Sequence, residues 1–300
     1  MLTANHGVQS VAVIGAGLMG RRIAGLIAGH GFSVALVDAN GGILEAGVAS
    51  ARDLASERAE FISGTTDISQ ALDGVELVIE AIVEDLSVKQ ALFEQMSELN
   101  EGAVLASNSS VIPITAIAER AVNQKRCIGT HFWNPPDLIP IVEVVRGANT
   151  SLETMDRTYA FMEAIGKVPV RVEKDVPGFV GNRLQHALWR EAIDLVASGV
   201  CDAHTVDQVV RNTIGLRLGE MGPIENADYV GLDLTLAIHR AVLPSINADR
   251  HPSPYLEELV EQGNLGAKTG QGFLTWEAGS REAAAERLSR HVSKQLASRS

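Results

Sequence analysis

The feature that most constrains the fold is a glycine pattern that follows the first apolar run of the chain. The run "VAVIG" ends at Gly15, and Gly17 and Gly20 continue a G-x-G-x-x-G spacing into an apolar helical pattern. A strand, a tight turn and a helix in this order place free backbone amides where a pyrophosphate can bind. The pattern therefore predicts a strand–turn–helix unit that binds a dinucleotide.

Asp38, at the end of the next strand pattern "SVALVD", refines this prediction. Its carboxylate can accept hydrogen bonds from both ribose hydroxyls and would repel a 2′-phosphate, which favours NAD over NADP. Arg21 and Arg22 lie on the helix and not after the second strand, so they do not reverse this preference. Glycines that serve only a turn are the alternative interpretation. The predicted cofactor contacts in this region are Gly15, Gly17, Leu18, Met19, Gly20 and Asp38.

The two halves of the chain have different patterns. In the first half, short β-branched runs alternate with helical patterns, which predicts a mainly parallel sheet covered by helices. The strand-like runs are 11–15, 33–38, 76–82, 103–108, 127–132, 141–145 and 168–173. Helices are predicted at 86–99 and 151–165, and Thr150 and Glu153 are expected to cap the second of them.

Strand-like runs stop after Pro177-Gly178, and helical spacing takes over. The predicted helices run from Leu184 to Gly199 and then over 203–214, 228–243, 255–261 and 281–298. The predicted fold class is therefore α/β, a Rossmann-type, mainly parallel sheet followed by an all-helical domain. We place the NAD-binding domain at 1–176 and a helical domain for substrate binding and dimerisation at 177–300.

Composition narrows the partners and the compartment. A net charge of −12 speaks against nucleic acid and against an anionic membrane surface as partners. Cys127 and Cys201 have no metal-ligand spacing, so we predict no metal site and a reducing compartment. The N-terminus has no signal-peptide pattern, and no apolar run is long enough to cross a membrane. A cytoplasmic protein with a small-molecule substrate is expected.

The stretch "HFWNPPDLIPIVEV" contains the candidate catalytic pair. His131 and Glu143 lie on either side of three prolines, in a pattern that predicts a chain reversal between two strands. Two incidental polar residues in a hydrophobic corner are the alternative. A buried Glu143 would be costly without a partner, and His131 would provide one. A free imidazole titrates near neutrality, which suits a general base.

Five motifs in order resemble those of the 3-hydroxyacyl-CoA dehydrogenase superfamily. They are "IEAIVEDLSVKQALF", "SNSS", "HFWNPPDLIPIVEVV", "KDVPGFVGNR" and "MGPIENADYVGLD". The resemblance implies that His131 is the general base for hydride transfer to NAD and that Glu143 orients its ring. It also implies that Ser110 and Asn182 hydrogen-bond the reacting oxygen. Glu84, Lys89 and Asn108 match cofactor-site positions, the first two at the nicotinamide ribose.

Simpler interpretations stay open for several of these residues. Ser110 and Asn182 could be a turn residue and a polar group at a helix N-terminus. Glu84 and Lys89 could lie on a solvated helix face. A non-catalytic NAD-binding protein similar to λ-crystallin is the alternative from another functional class, although a purely structural protein would not need the catalytic set.

One departure from the family pattern concerns the substrate. In family members that act on acyl-CoA, a long helical hairpin with lysines holds the CoA nucleotide, whereas residues 41–66 here are short and net negative. Relatives that use substrates without CoA include L-gulonate dehydrogenase with λ-crystallin, carnitine dehydrogenase and a dehydrogenase of pyridoxine breakdown. A small acid or aldehyde is therefore the alternative to an acyl-CoA. Its candidate carboxylate partners are Arg183, Arg190 and Arg217.

The helical half also predicts an oligomer. Leucines and isoleucine recur around "GLDLTLAIHRAVL" in greater number than one thin layer against the first domain would bury. We therefore expect a homodimer formed through residues 185–245.

Overall fold

The computed structural model describes residues 6–298, and its strands form one eight-stranded sheet. The strands are β1 (Ser10–Ile14), β2 (Ser33–Val37), β3 (Ile62–Thr65), β4 (Leu77–Glu80), β5 (Val104–Ser107), β6 (Cys127–Phe132), β7 (Ile141–Val145) and β8 (Val168–Val172). Their order is β3-β2-β1-β4-β5-β6-β7-β8. The strand order therefore reverses between β1 and β4, and ligands bind at such a crevice in open α/β sheets.

Strand direction sets which side chains meet at this edge of the sheet. Every neighbouring pair of strands is parallel except β6 and β7, which are antiparallel. The carboxyl ends of β1, β2, β4, β5 and β6 therefore lie along one edge. Residues that directly follow these strands converge there, and this edge carries the candidate site.

Helices cover both faces of the sheet. They are α1 (Leu18–Gly29), α2 (Gly41–Ala55), α3 (Ile68–Leu72), α4 (Leu86–Leu99), α5 (Ile114–Ile117) and α6 (Leu152–Ala164). Alternate residues of β1 enter opposite cores: Val11 and Val13 belong to one apolar cluster, and Ala12 and Ile14 to the other. A strand buried on both faces reads as a continuous apolar run, as "VAVI" does.

The contacts divide the chain into two units, Met1–Arg183 and Leu184–Ser300. The helices of the second unit are α8 (Ala203–Asn212), α9 (Ile214–Leu218), α10 (Pro223–Val230), α11 (Leu232–Val242), α12 (Pro254–Glu261) and α13 (Ser280–Ala297), while α7 (Gly181–Ala197) begins in the first unit. The predicted fold class, a mainly parallel sheet followed by helices, is confirmed. The predicted domain boundary after residue 176 stays a prediction.

Burial differs sharply between the units. Among residues 6–298, every buried apolar residue lies between Val8 and Phe179. Among residues 184–298, none is buried. None of the helices within residues 6–298 has the length and apolar character needed to cross a membrane.

Three local predictions need correction. Strand β3 was not predicted, because "ISGT" is short, contains Gly64 and lies at the edge of the sheet. Ser151, not Thr150, caps α6 through the Thr154 amide, since the Thr150 hydroxyl already donates to the Cys127 carbonyl. The helix predicted at 228–243 is two helices separated at Gly231, whose φ of 103° does not fit a helix.

Candidate active site

The glycine-rich turn joins β1 to α1 through close backbone contacts. Gly15 has a φ of 100°, in the region that favours glycine. A Cβ on Gly20 would lie 1.8 Å from the Gly15 carbonyl oxygen, so only glycine lets the helix begin this close to the strand. A Cβ on Gly17, by contrast, would meet no atom within 4 Å. The turn therefore has open space in front of its second glycine.

This turn has the features that bind a dinucleotide. Helix α1 begins at Leu18 and Met19, and no side chain among residues 6–298 caps its N-terminus, so its first amides are available to an anion. The Asp38 carboxylate follows β2 and accepts hydrogen bonds from the Ala16 and Asn40 amides, each at 2.9 Å. An acidic group fixed beside a glycine turn fits the ribose and pyrophosphate of NAD. The individual cofactor contacts stay predictions.

His131 and Glu143 form a directly opposed pair across the antiparallel strands β6 and β7. Their side chains project from the same face, and His131 Nδ1 lies 2.7 Å from Glu143 Oε2. Because a carboxylate only accepts, the Nδ1 atom of His131 carries the proton of this hydrogen bond. The residues of the pair are 5% and 2% exposed. The two polar residues are therefore paired with each other, and their catalytic role stays a prediction.

The carboxylate of Glu143 is fixed from several sides. Oε1 accepts hydrogen bonds from the Val180 and Gly181 amides at 3.0 Å, and the Trp133 indole lies 3.4 Å from Oε2. Burial alone would raise the pKa of Glu143, but the hydrogen bonds from His131 and from the two amides outweigh it, and the pKa lies below its ordinary value. A carboxylate held in its charged form can stabilise an imidazolium next to it.

Asn182 and Ser110 are linked to the same region. Asn182 is buried in the first turn of α7, and its Nδ2 donates to the Ser110 carbonyl at 2.9 Å. It directly follows Gly181, whose amide binds Glu143. Segment 180–182 therefore connects the His131–Glu143 pair to Ser110. Asn108, in the loop after β5, accepts a hydrogen bond from the Phe132 amide, next to His131.

The two predicted ribose contacts lie in a network that the sequence did not reveal. Lys89 is 1% exposed, and its ammonium lies 2.6 Å from Glu80 and 3.2 Å from Glu84. The alternative of a solvated helix face is wrong for Lys89. A ribose contact stays a prediction for both Glu84 and Lys89. The sequence signal for Glu80 was a lone glutamate in the apolar run "LVIEAI", which requires a buried partner.

The loop between β6 and β7 is held by side chains at two points. Arg22 of α1 donates to Asp137 at 2.5 Å, so one of the arginines near the cofactor turn is engaged elsewhere. Lys167 donates to the carbonyls of Pro136 and Ile139 at 2.5 and 3.0 Å. Burial lowers the pKa of Lys167 to about 8, against the opposing effect of Asp137. These contacts fix the reversal between His131 and Glu143.

Comparison with known families decides the classification. A sequence model of the 3-hydroxyacyl-CoA dehydrogenase NAD-binding domain matches residues 10–176, and a model of the C-terminal domain of the same family matches residues 178–276. The chain belongs to the 3-hydroxyacyl-CoA dehydrogenase family. It is an NAD-dependent oxidoreductase, and NAD is its cofactor, as the glycine turn and Asp38 predicted.

Several curated relatives cover most of the chain. It is 37% identical over 279 residues to a probable 3-hydroxybutyryl-CoA dehydrogenase of Deinococcus radiodurans, covering 88% of this chain and 99% of the relative. It is 32% identical over 289 residues to 5-formyl-3-hydroxy-2-methylpyridine 4-carboxylate 5-dehydrogenase of Mesorhizobium japonicum, covering 90% of this chain and 91% of the relative.

Solved structures give the same family. The crystal structure of a 5-formyl-3-hydroxy-2-methylpyridine 4-carboxylic acid 5-dehydrogenase, described as an NAD⁺-dependent dismutase, matches with a TM-score of 0.88 and 29% identity, over 95% of this chain and 96% of that one. The 3-hydroxybutyryl-CoA dehydrogenase of Escherichia coli matches with a TM-score of 0.75 and 33% identity, over 90% of this chain and 60% of that one.

Proposed function

We propose that this family member transfers hydride between NAD and a secondary alcohol that lies β to a thioester or carboxyl group, with His131 as the general base. The observation that carries the proposal is the 2.7 Å contact between His131 Nδ1 and Glu143 Oε2. It fixes the ring and the tautomer and leaves Nε2 free to accept a proton.

The protein's own residues would handle the proton and the substrate oxygen. His131 Nε2 takes the hydroxyl proton, and Glu143 stabilises the imidazolium that results. The Ser110 hydroxyl and the Asn182 amide would donate hydrogen bonds to the substrate oxygen and stabilise the charge that develops on it. Bound NAD, held at the glycine turn and Asp38, supplies the hydride acceptor. In the reverse direction, the imidazolium returns the proton to the alkoxide.

A substrate without CoA is the second candidate, and the segment after β2 favours it. This segment is one helix, α2, followed by a 3-10 helix at Ser56–Phe61. Its two cations are engaged with the backbone: Arg52 donates to the Ile62 carbonyl and Arg58 to the Gly29 carbonyl. Each guanidinium therefore has one N–H group engaged with the backbone, and the acidic residues of the segment outnumber its two cations. The similarity to the pyridine-aldehyde dehydrogenase makes a small acid or an aldehyde the specific alternative.

The test is NADH formation by the purified protein with 3-hydroxybutyryl-CoA, free 3-hydroxybutyrate, L-gulonate, carnitine and an aromatic aldehyde. A strong preference for the thioester supports an acyl-CoA substrate. A preference for a free acid or the aldehyde supports the second candidate and directs mutagenesis to Arg183, at the start of α7. NAD binding without turnover of any of the five would contradict both candidates and support a non-catalytic protein.

We also propose a cytoplasmic homodimer that forms through residues 185–245. Among residues 184–298 none is buried, and Leu232, Leu234 and Leu236 are 64%, 50% and 51% exposed. An apolar surface of this extent is typical of an interface between subunits. Both cysteines are free, which fits a reducing compartment. A monodisperse monomer in light scattering at micromolar concentration would exclude the dimer.

A further inference from the structure

A buried group of charges lies beside the loop that carries Ser110. Lys89 is 1% exposed and Glu80 is fully buried. The Lys89 ammonium contacts Glu80 Oε1 at 2.6 Å and Glu84 Oε2 at 3.2 Å. Moving such charges out of water is costly, and apolar residues of similar shape often give equal or greater stability. Stability alone therefore gives little reason for this arrangement.

The first connection from Lys89 to the loop passes through Glu84. While Oε2 of Glu84 faces the ammonium, Oε1 accepts three hydrogen bonds from consecutive residues. The donors are the Ser109 hydroxyl at 2.6 Å, the Ser110 amide at 2.9 Å and the Val111 amide at 3.2 Å. Burial would raise the pKa of Glu84, but Ser109, Lys89 and the two amides lower it below its ordinary value. One charged oxygen thus fixes the backbone on both sides of Ser110.

The second connection passes through Glu80. Its Oε1 is held by Lys89 and by the Ile82 amide at 2.8 Å. Its Oε2 accepts a hydrogen bond from the Ser107 hydroxyl at 2.7 Å, and the Ser107 oxygen accepts one from the Ser109 amide at 3.1 Å. Lys89 is therefore the point at which both connections to the loop start.

We propose that Lys89 and Glu80 are positioning residues that fix the Ser110 hydroxyl at the reacting oxygen of the substrate. The inference rests on the proposed function, because it assumes that Ser110 stabilises that oxygen. The opposite side of the loop is held by Asn182, which donates to the Ser110 carbonyl. The two proposed oxygen-binding residues, Asn182 and Ser110, are thus joined to each other. The charge network holds the stretch of loop that runs from the end of β5 to Ser110.

The test is a double-mutant cycle on turnover, measured with the substrate that gives the fastest NADH formation in the panel above. The first change is Ser110→Ala. The second is Glu80→Gln combined with Lys89→Met, which removes one negative and one positive charge together. The four proteins of the cycle are the parent, each altered protein and their combination.

Non-additivity is the expected result. Ser110→Ala should lower kcat about 100-fold, as expected for loss of one donor to a developing oxyanion. The paired substitution should lower kcat about tenfold in the parent but much less when Ser110 is already alanine, because residues that act through one another are coupled. NAD affinity is measured for every variant, because Lys89 is also a predicted ribose contact, and kcat is compared at saturating NAD.

Arg126→Met is the matched structural control. Arg126 is also a buried cation, but it donates to the Ala103 and Ser97 carbonyls and not to the Ser110 loop. Arg126→Met should change kcat by the same factor in the parent and in Ser110→Ala, because the two sites are independent. Should the paired variant fail to fold, Glu80→Gln alone, which keeps an acceptor for Ser107, replaces it in the cycle and should show the same coupling to Ser110.

Two results would overturn the inference alone. One is that the paired substitution lowers kcat by the same factor in the parent and in Ser110→Ala, while Ser110→Ala itself has a lower kcat than the parent. The other is a parental kcat at saturating NAD in the paired variant, with the effect confined to NAD affinity, which would leave Lys89 as a cofactor contact alone. Parental turnover in Ser110→Ala would instead contradict the proposed role of Ser110, and the inference would fall with it.

Discussion

At the scale of single residues, the candidate site depends on pairs that satisfy each other. Glu143 lies in the apolar strand β7, where an unpaired carboxylate would be costly. His131 and the amides of segment 180–181 supply its hydrogen bonds. The same contacts that make Glu143 tolerable in the core also orient the imidazole. Stability and the proposed acid–base chemistry therefore use one set of atoms.

Replacing His131 by glutamine should remove the base and leave the cofactor site intact. We expect His131→Gln to lower kcat about 1,000-fold, since general acid–base groups contribute on this order. NAD affinity, measured by fluorescence titration, should barely change, because the glycine turn and Asp38 belong to other strand ends. An equal loss of NAD affinity and turnover would mean that His131 has a structural role.

The lowered pKa of Glu143 gives stability a defined pH dependence. A carboxylate whose folded-state pKa lies below its unfolded value stabilises the protein above the unfolded value, near 4.5, and loses this contribution as the pH falls through the folded value. Glu143→Gln should therefore cost about 2 kcal/mol of unfolding free energy at pH 7, and the difference from the parent should shrink below pH 4.5. Urea denaturation at several pH values measures it, and a difference independent of pH would contradict it.

The sequence predicted some of these residues better than others. The spacing of prolines between His131 and Glu143 predicted a reversal, and the structure places the two side chains opposite each other. Lys89 was more difficult, because a lysine five residues after a glutamate at a helix start fits a solvated surface equally well. Its burial depends on Glu80, which ends strand β4 nine residues before Lys89, and no helical or strand pattern reports such a contact.

At the scale of elements, two glycines of the turn between β1 and α1 have different roles. Gly20 allows helix and strand to approach, whereas Gly17 leaves space in front of the helix N-terminus. The two positions are close in sequence but serve different partners, one the protein and the other a ligand. Single alanine substitutions can therefore distinguish them.

We expect Gly17→Ala to fold with parental stability and to bind NAD weakly, because its Cβ enters only the open space. Gly20→Ala should lose both stability and NAD binding, because its Cβ would overlap the Gly15 carbonyl. Thermal unfolding without ligand, together with NAD titration, checks both. If Gly17→Ala keeps parental NAD affinity, the cofactor's phosphates do not approach this glycine.

Element boundaries followed from the sequence where the patterns were strong. The apolar runs of β1, β6 and β7 and the periodic helix α4 have no competing interpretation. The edge strand β3 was missed, because its pairing with β2 is a long-range contact that four residues with a glycine do not reveal. The break at Gly231 was also missed, since a glycine within a helical pattern is often tolerated.

At the scale of the whole molecule, the two units differ in how much apolar surface they bury, and burial of apolar surface is the main source of stability. The first has apolar clusters on both faces of its sheet. The second has helices whose apolar residues stay largely exposed, including Leu232 and Ile238. A unit in which none of residues 184–298 is buried is expected to depend on association, as obligate dimers do.

The dimer can be tested with a matched pair of substitutions. Leu232→Asp should shift the protein to monomer in sedimentation velocity and lower its melting temperature, because a buried charge opposes the interface. Val122→Asp, at an exposed valine of the first unit, should change neither. The parental melting temperature should rise with protein concentration. A dimer that persists in Leu232→Asp would place the interface elsewhere.

The antiparallel pairing between β6 and β7 restricts which insertions and deletions the chain tolerates. His131 and Glu143 meet because they occupy the same rung of the ladder, and side chains of a strand alternate between its faces. Loss of one residue from the start of β7 would either shift that rung or turn the carboxylate to the opposite face. Extra residues within 134–139 would disturb the contacts of the loop with Arg22 and Lys167 but would not change which residues of β6 and β7 face each other. Length variants should therefore survive in the loop and fail in the strand.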